Sequence, residues 1–146
     1  MSWIIKKFEE LTNSELHDIF KLRVDIFIVE QNCPYPEIDG KDPQCLHLFF
    51  KDCDNIKAYA RILPPGLSYT EPSIGRVIVS ADSRGTGLGY KLLDESVKAS
   101  LKEYNQPIKI GAQAHLEKYY GVYGFEKVSD EYLEDDIPHI DMLRKL

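Results

Sequence analysis

One stretch of this chain, Ser73 to Tyr104, limits what the rest can fold into. It reads as strand, glycine turn and helix in succession. Ser73-Ile-Gly-Arg-Val-Ile-Val79 has the β-branched composition of a buried strand. Ser80-Ala-Asp-Ser83 interrupts it, and Arg84-Gly-Thr-Gly-Leu-Gly89 follows. From there Leu88, Leu92, Leu93, Val97, Leu101 and Tyr104 recur at helical spacing, with charged residues such as Lys91, Asp94, Glu95 and Lys98 between them. A glycine turn feeding a helix start aims several unpaired backbone N–H groups into one small volume, where the helix dipole adds positive character. Such a place suits an anion, and Arg84 strengthens it. The plainer alternative is a turn that only reverses the chain.

Which anion can be argued by exclusion. A dinucleotide fingerprint beginning at Gly85 needs a glycine where Tyr90 stands, and a phosphate-binding P-loop needs Gly-Lys-Ser/Thr where the chain has Tyr90-Lys91-Leu92. The pattern that fits is Arg-x-x-Gly-x-Gly, filled by Arg84, Gly87 and Gly89. The 146 residues suit one domain, residues 1–146, with a core large enough to fold unaided. A net charge of −6 argues against general nucleic-acid binding and is compatible with a cationic amine as partner. No apolar run approaches membrane-spanning length, and Met1-Ser-Trp-Ile-Ile-Lys-Lys7 has the wrong charge order for a signal peptide, so a cytoplasmic protein is expected. Cys33, Cys45 and Cys53 suit reduced thiols; Cys45, His47 and Cys53 lack the fourth ligand and paired spacing of a metal site, and none is expected.

The rest of the chain reads in order. Trp3 to Phe8 is a first strand, and Thr12-Asn-Ser-Glu15 is a capping box opening a helix to about Phe27. Arg23 on its apolar stripe either snorkels or reaches an acid. Val29 to Pro43, broken by Pro34, Pro36, Gly40 and Pro43, is either a packed loop giving a pocket an acidic lining through Glu30, Glu37, Asp39 and Asp42, or a solvated surface loop. Cys45–Lys51 and Ile56–Leu63 form an antiparallel pair about Asp52–Asn55. Alternation puts Leu46, Leu48 and Phe50 on one face, His47 and Phe49 on the other. Ile108–Ala112 is a strand, Gln113–Tyr120 a short helix ended by Gly121-Val-Tyr-Gly-Phe125, and Glu126–Val128 is strand-like.

The stretch about Arg84, Gly87 and Gly89 resembles motif A of the GNAT acetyltransferases, which cradles the pyrophosphate of coenzyme A. The segment Gln113–Phe125 resembles their motif B. Tyr120 lies five residues before Phe125, where that family carries its general-acid tyrosine, and Gln113 replaces a frequent Asn. Leu22-Arg-Val24, Phe27–Tyr35, Glu37–Gly40, His47-Leu48, Gln113–Leu116 and Ile137-Pro-His-Ile140 are similar to the ElaA-like branch of that family. The resemblance implies an α+β GNAT fold: a central, splayed, mixed sheet of six to seven strands with helices on both faces. It also implies acetyl-CoA as acyl donor in the cleft where two strands part. Val77, Ile78 and Val79 would offer backbone groups to the pantetheine arm. Arg84, Gly85, Thr86, Gly87, Leu88 and Gly89 would surround the diphosphate, with Gln113 and Tyr120 also touching the donor.

The activity so implied is N-acetyl transfer to a primary amine, on a small molecule or a peptide, by direct attack in a ternary complex. A backbone N–H near Val79 would hold the developing oxyanion, and Tyr120 would protonate the departing thiolate. For the base, His47, Glu30, His115 and His139 are candidates, and His47 leads because its strand position could open onto the acceptor side. Two other classes stay open, a catalytically silent acyl-CoA sensor and a protein–protein adaptor on a GNAT-like scaffold. Acyl preference and oligomeric state, a homodimer included, are not legible.

Overall fold

The structure, a computed structural model, describes residues 2–146. In chain order it contains β1 (Ser2–Lys7), α1 (Asn13–Val24), β2 (Leu46–Asp52), β3 (Asn55–Leu63), β4 (Ser73–Val79), α2 (Leu88–Tyr104), β5 (Ile108–Gln113), α3 (Glu117–Gly121), β6 (Phe125–Lys127), β7 (Tyr132–Glu134) and β8 (Ile137–Arg144). The strands form two ladders. One has the order β1-β2-β3-β4; the other has β5-β8-β6, with β7 also paired to β8. β4 and β5 are joined through α2 and tied at their N-terminal ends by the Lys109 N–H, which donates to Pro72 O at 3.0 Å. Past that bond no ladder joins them among the described residues, so the sheet opens between β4 and β5. That is the splayed architecture the resemblance implies, with eight strands because β7 is added as a three-residue arm of a hairpin.

The two faces of the first ladder bury different cores. Leu48, Ala58, Ala60, Ile62 and Ile74 pack with Leu92, Leu93 and Val97 of α2. Phe49, Tyr59 and Ile78 pack on the other face with Ile19 of α1. Ile74 and Ile78 share one strand and an even spacing, yet they face opposite cores. The cause is a bulge: Tyr59 pairs with Ile78 but Arg61 pairs with Gly75, so Arg76 and Val77 together oppose Ala60. The extra residue reverses which side chains point to which face.

The capping box forms as the sequence predicts. Thr12 Oγ1 accepts from the Glu15 N–H at 3.1 Å and Glu15 Oε1 accepts from the Thr12 N–H at 2.9 Å. Lys6 adds an ion pair to Glu15 at 2.9 Å, joining the helix start to β1. The α-helix itself stops at Val24, and Asp25–Glu30 continue as a π-helical turn rather than as more α-helix. Residue 31 onward is a packed segment whose Glu37 and Asp42 are buried. Among the described residues no helix is long and apolar enough to cross a membrane.

Candidate active site

The opening between β4 and β5 is a cleft of about 520 Å³. Gly75–Val77 of β4 form one wall; Gln113 of β5, Tyr120 of α3 and His139 of β8 lie along the other. The bulge falls on this wall, and Arg76 sits there at φ +52°. A bulge leaves its extra residue outside the ladder, which frees backbone polar groups at the edge of the cleft.

The glycine turn stands where β4 hands over to α2. Gly85 and Gly87 hold φ values of +79° and +83°, a region costly to any residue with a Cβ. Gly87 is the N-cap of α2 and no side chain caps that end, so the first N–H groups of the helix face outward unclaimed by a side chain. Thr86 Oγ1 donates to Ser83 O at 2.6 Å and braces the turn. Arg84 forms a two-pronged pair with Glu30, at 2.6 and 2.7 Å, which depresses the Glu30 carboxyl through the hydrogen-bonded guanidinium. Glu30 is therefore the partner of the turn's arginine.

Tyr119 connects this turn to the cleft. Its hydroxyl donates to Gly89 O at 2.6 Å, so α3 is fastened to the first turn of α2. Tyr120, the next residue, is buried and lines the cleft. Burial pushes its phenol up to about 12, so it keeps its proton at neutral pH. The side chain of Ile78 belongs to the α1-side core, which leaves only its backbone to face a ligand. Val77 lines the cleft directly and Val79 approaches Gly89 from β4.

His47 requires a correction. It does not open onto the cleft; it is fully buried, with Nδ1 at 2.7 Å from the Tyr59 hydroxyl and Nε2 at 3.0 Å from Asp42 O. Alternation put it on the face opposite Leu48, as expected, but that face is covered by α1 and the 31–45 segment rather than by substrate. Desolvation lowers its pKa and keeps it neutral. Among the other histidines considered, His115 is exposed on a turn of 3-10 helix outside the cleft lining, whereas His139 lines the cleft.

The acidic segment does not give the pocket a row of free carboxylates either. Glu37 Oε2 accepts from Arg23 Nε at 2.8 Å and Arg76 Nε at 2.7 Å. Asp42 accepts from Arg23 at 2.6 Å and Arg61 at 3.1 Å, while Asp39 takes a two-pronged bond from Arg61 at 2.9 and 2.8 Å. Arg23 thus reaches two acids and is wholly buried. Asp39 is held well below the usual carboxylate range, against the opposing pull of its own burial, by Arg61 and the Lys41 N–H.

A family model described as acetyltransferase (GNAT) domain matches residues 24–146. The chain belongs to the GNAT acetyltransferase family. Protein ElaA of Escherichia coli strain K12 is 39% identical over the whole of this chain and 97% of its own length. The crystal structure of Escherichia coli ElaA superimposes with a TM-score of 0.93 over 99% of each chain at 39% identity. An acyl-CoA N-acyltransferase from Pseudomonas aeruginosa superimposes with a TM-score of 0.94 over 98% of each chain at 42% identity. Membership makes this protein an acyltransferase, and its fold is the family's.

Two parts of this GNAT domain were not legible as parts of a site. The arginines Arg61 and Arg76 line the cleft, but each sits in a strand pattern that reads as ordinary alternation. The β7–β8 hairpin turns at Asp135 and Asp136, both at positive φ of +49° and +63°, the signature of a type I′ turn. Asp-Asp tolerates that turn without advertising it as Asn-Gly would, so the signal was weak.

Proposed function

We propose that this protein is an acetyl-CoA-dependent N-acetyltransferase acting on a primary amine, with attack by the amine on the thioester while both substrates are bound. The observation that carries the reading is the Tyr119–Gly89 bond at 2.6 Å. It fastens an uncapped helix N-terminus and a protonated, cleft-lining Tyr120 to one end of the cleft. An anion-binding helix end beside a proton donor is what the diphosphate and the sulfur of a coenzyme A thioester need.

The chain's residues take these roles. The N–H groups at Gly87, Leu88 and Gly89, with the turn at Gly85 and Thr86, hold the diphosphate, and Arg84 adds charge once it exchanges Glu30 for phosphate oxygens. The backbone of Val77, Ile78 and Val79 pairs with the pantetheine amides, Gln113 contacts the donor from β5, and the freed groups at the bulge stabilise the oxyanion. Tyr120 supplies the proton that the departing thiolate takes. Cleft walls that fix both reactants replace a chance encounter with a positioned one.

Calorimetry with acetyl-CoA, followed by thiol release against a panel of monoamines, polyamines, aminoglycosides and peptides, tests the reading. Binding with thiol release for one amine class is the expected result. Absence of heat with coenzyme A and acetyl-CoA sinks it, and binding without release for any amine points to a sensor.

A further inference from the structure

We propose that His139 is the general base of acetyl transfer, with the Glu134 carboxylate as counter-charge to the proton it takes, an assignment that rests on the N-acetyltransferase reading above. The register of the second ladder brings the pair into the cleft. His139 pairs with Gln113 of β5 and with Tyr132 of β7, and Glu134 pairs with Ile137. Side chains two apart on a strand share a face, so Ile137, His139, Tyr132 and Glu134 lie on one side of the sheet. Ile140 and Met142 take the other side, in the core. The side carrying His139 is the cleft wall, which Gln113, Glu134, Ile137 and Tyr120 also line.

The hydrogen bonds decide the tautomer. Nδ1 of His139 lies 2.7 Å from Ile137 O, and a carbonyl only accepts, so Nδ1 carries the hydrogen and Nε2 holds a lone pair. Nε2 is 3.4 Å from Glu134 Oε2, too long for a tight hydrogen bond, so the carboxylate stands beside the lone pair as a ready counter-charge. The ring is held flat by Tyr132, stacked at 6.1 Å and 24°, and its side chain is 12% exposed. The titratable groups around it are Tyr132, Glu134 and Asp135 of the hairpin, Asp141 on the same face of β8, and Tyr120 of α3, with Tyr69 and Lys41 also lining the cleft. On the opposite wall Arg61 and Arg76 are already engaged by Asp39 and Glu37. The Lys41 ammonium donates to Ser68 Oγ at 2.9 Å, and a proton taken by His139 Nε2 has the Glu134 carboxylate beside it.

An acceptor ammonium gives one proton to His139 Nε2, and the amine lone pair then forms the C–N bond at the thioester carbonyl. The C–S bond breaks, its electron pair leaves with sulfur, and Tyr120 protonates that sulfur. The second nitrogen proton restores the phenol, and the proton on His139 passes to water. The same base serves a water nucleophile more slowly.

The test uses the full chain with 1,4-diaminobutane and, separately, water as nucleophile toward acetyl-CoA, together with ¹⁵N-histidine NMR of the coenzyme A complex. The wild-type rate is expected to fall on acidification with the ionisation of one histidine. His139→Gln lowers the rate about 100-fold and abolishes that limb. Glu134→Gln changes an exposed side chain, so the fold is retained; it lowers the rate several-fold with acetyl-CoA affinity unchanged, because the counter-charge beside Nε2 has gone. An Nε2–H tautomer, an unchanged rate in Glu134→Gln, or an unaltered rate and limb in His139→Gln overturns the assignment. So does wild-type protein that binds acetyl-CoA yet releases no thiol above the spontaneous rate with either nucleophile. Failure to bind acetyl-CoA at all instead removes the enzyme reading on which the base depends.

Discussion

Tyr120 and Gly87 show how differently single residues matter here. Tyr120→Phe keeps the ring that packs against Phe125 at 6.0 Å and removes only the hydroxyl. Its expected effect is a fall in kcat of about 10²-fold or more with acetyl-CoA affinity unchanged, measured by steady-state kinetics beside calorimetry. Gly87 works through its backbone, at φ +83°. Open space surrounds the position where a Cβ would go, so no clash complicates a substitution. Gly87→Ala should cost about 1–2 kcal/mol in urea unfolding from the left-handed conformation alone. Gly87→Glu should further abolish coenzyme A binding by placing a carboxylate where the diphosphate belongs. His47 lies on the face that alternation predicts, yet that face is roofed over. Strand alternation names a face, and a lone sequence does not say what covers that face.

At the scale of elements, the 31–45 segment is held by ion pairs rather than by secondary structure. Arg23, Arg61 and Arg76 meet Glu37, Asp39 and Asp42, three charges of each sign, from α1, β3 and β4. Truncating Arg23, which is fully buried, leaves two buried carboxylates short of a partner. Arg23→Ala should therefore destabilise by about 3–5 kcal/mol in chemical unfolding. That segment and the His47 packed beneath it make stability sensitive to acid. His47 has its folded pKa lowered by burial, so between that value and about 6.5 the unfolded chain binds a proton that the folded chain does not. Stability should begin to fall as pH drops below about 6.5. A second loss should follow below about 4, where the depressed Asp39 carboxylate, still charged when folded, takes a proton when unfolded. Urea midpoints from pH 7.5 to 3 check both, and His47→Gln should remove the first decline while leaving the second.

For the molecule as a whole, the open seam between β4 and β5 needs fastening at its base. Besides the Lys109–Pro72 bond, Tyr69 from the β3–β4 connection reaches Asp141 of β8 at 3.2 Å, and Tyr132 reaches the same oxygen at 2.6 Å. Gly111 of β5 lies beneath them, and a Cβ there would stand 2.9 Å from the Tyr69 hydroxyl and 3.2 Å from that of Tyr132. Gly111→Ala should push both hydroxyls off Asp141 and lower stability by about 1–3 kcal/mol, readable as a drop in the urea midpoint. Because Tyr132 also stacks on His139, loss of this clasp should slow acetyl transfer as well.

The amino-acid sequence by itself determined the local pieces: the capping box at Thr12, the β2–β3 hairpin, the glycine turn at 85–89 and the amphipathic α2. Each rests on contacts or periodicities within about 20 residues, which spacing and residue type encode directly. Only the tertiary structure decided that Arg23 reaches Glu37 and Asp42, that His47 is roofed over, and that His139 faces the cleft with Glu134 beside it. Those facts depend on which element covers which face, and on a bulge that reverses a strand's parity at Arg76. They are set by long-range packing, on which the pattern of a single strand is silent.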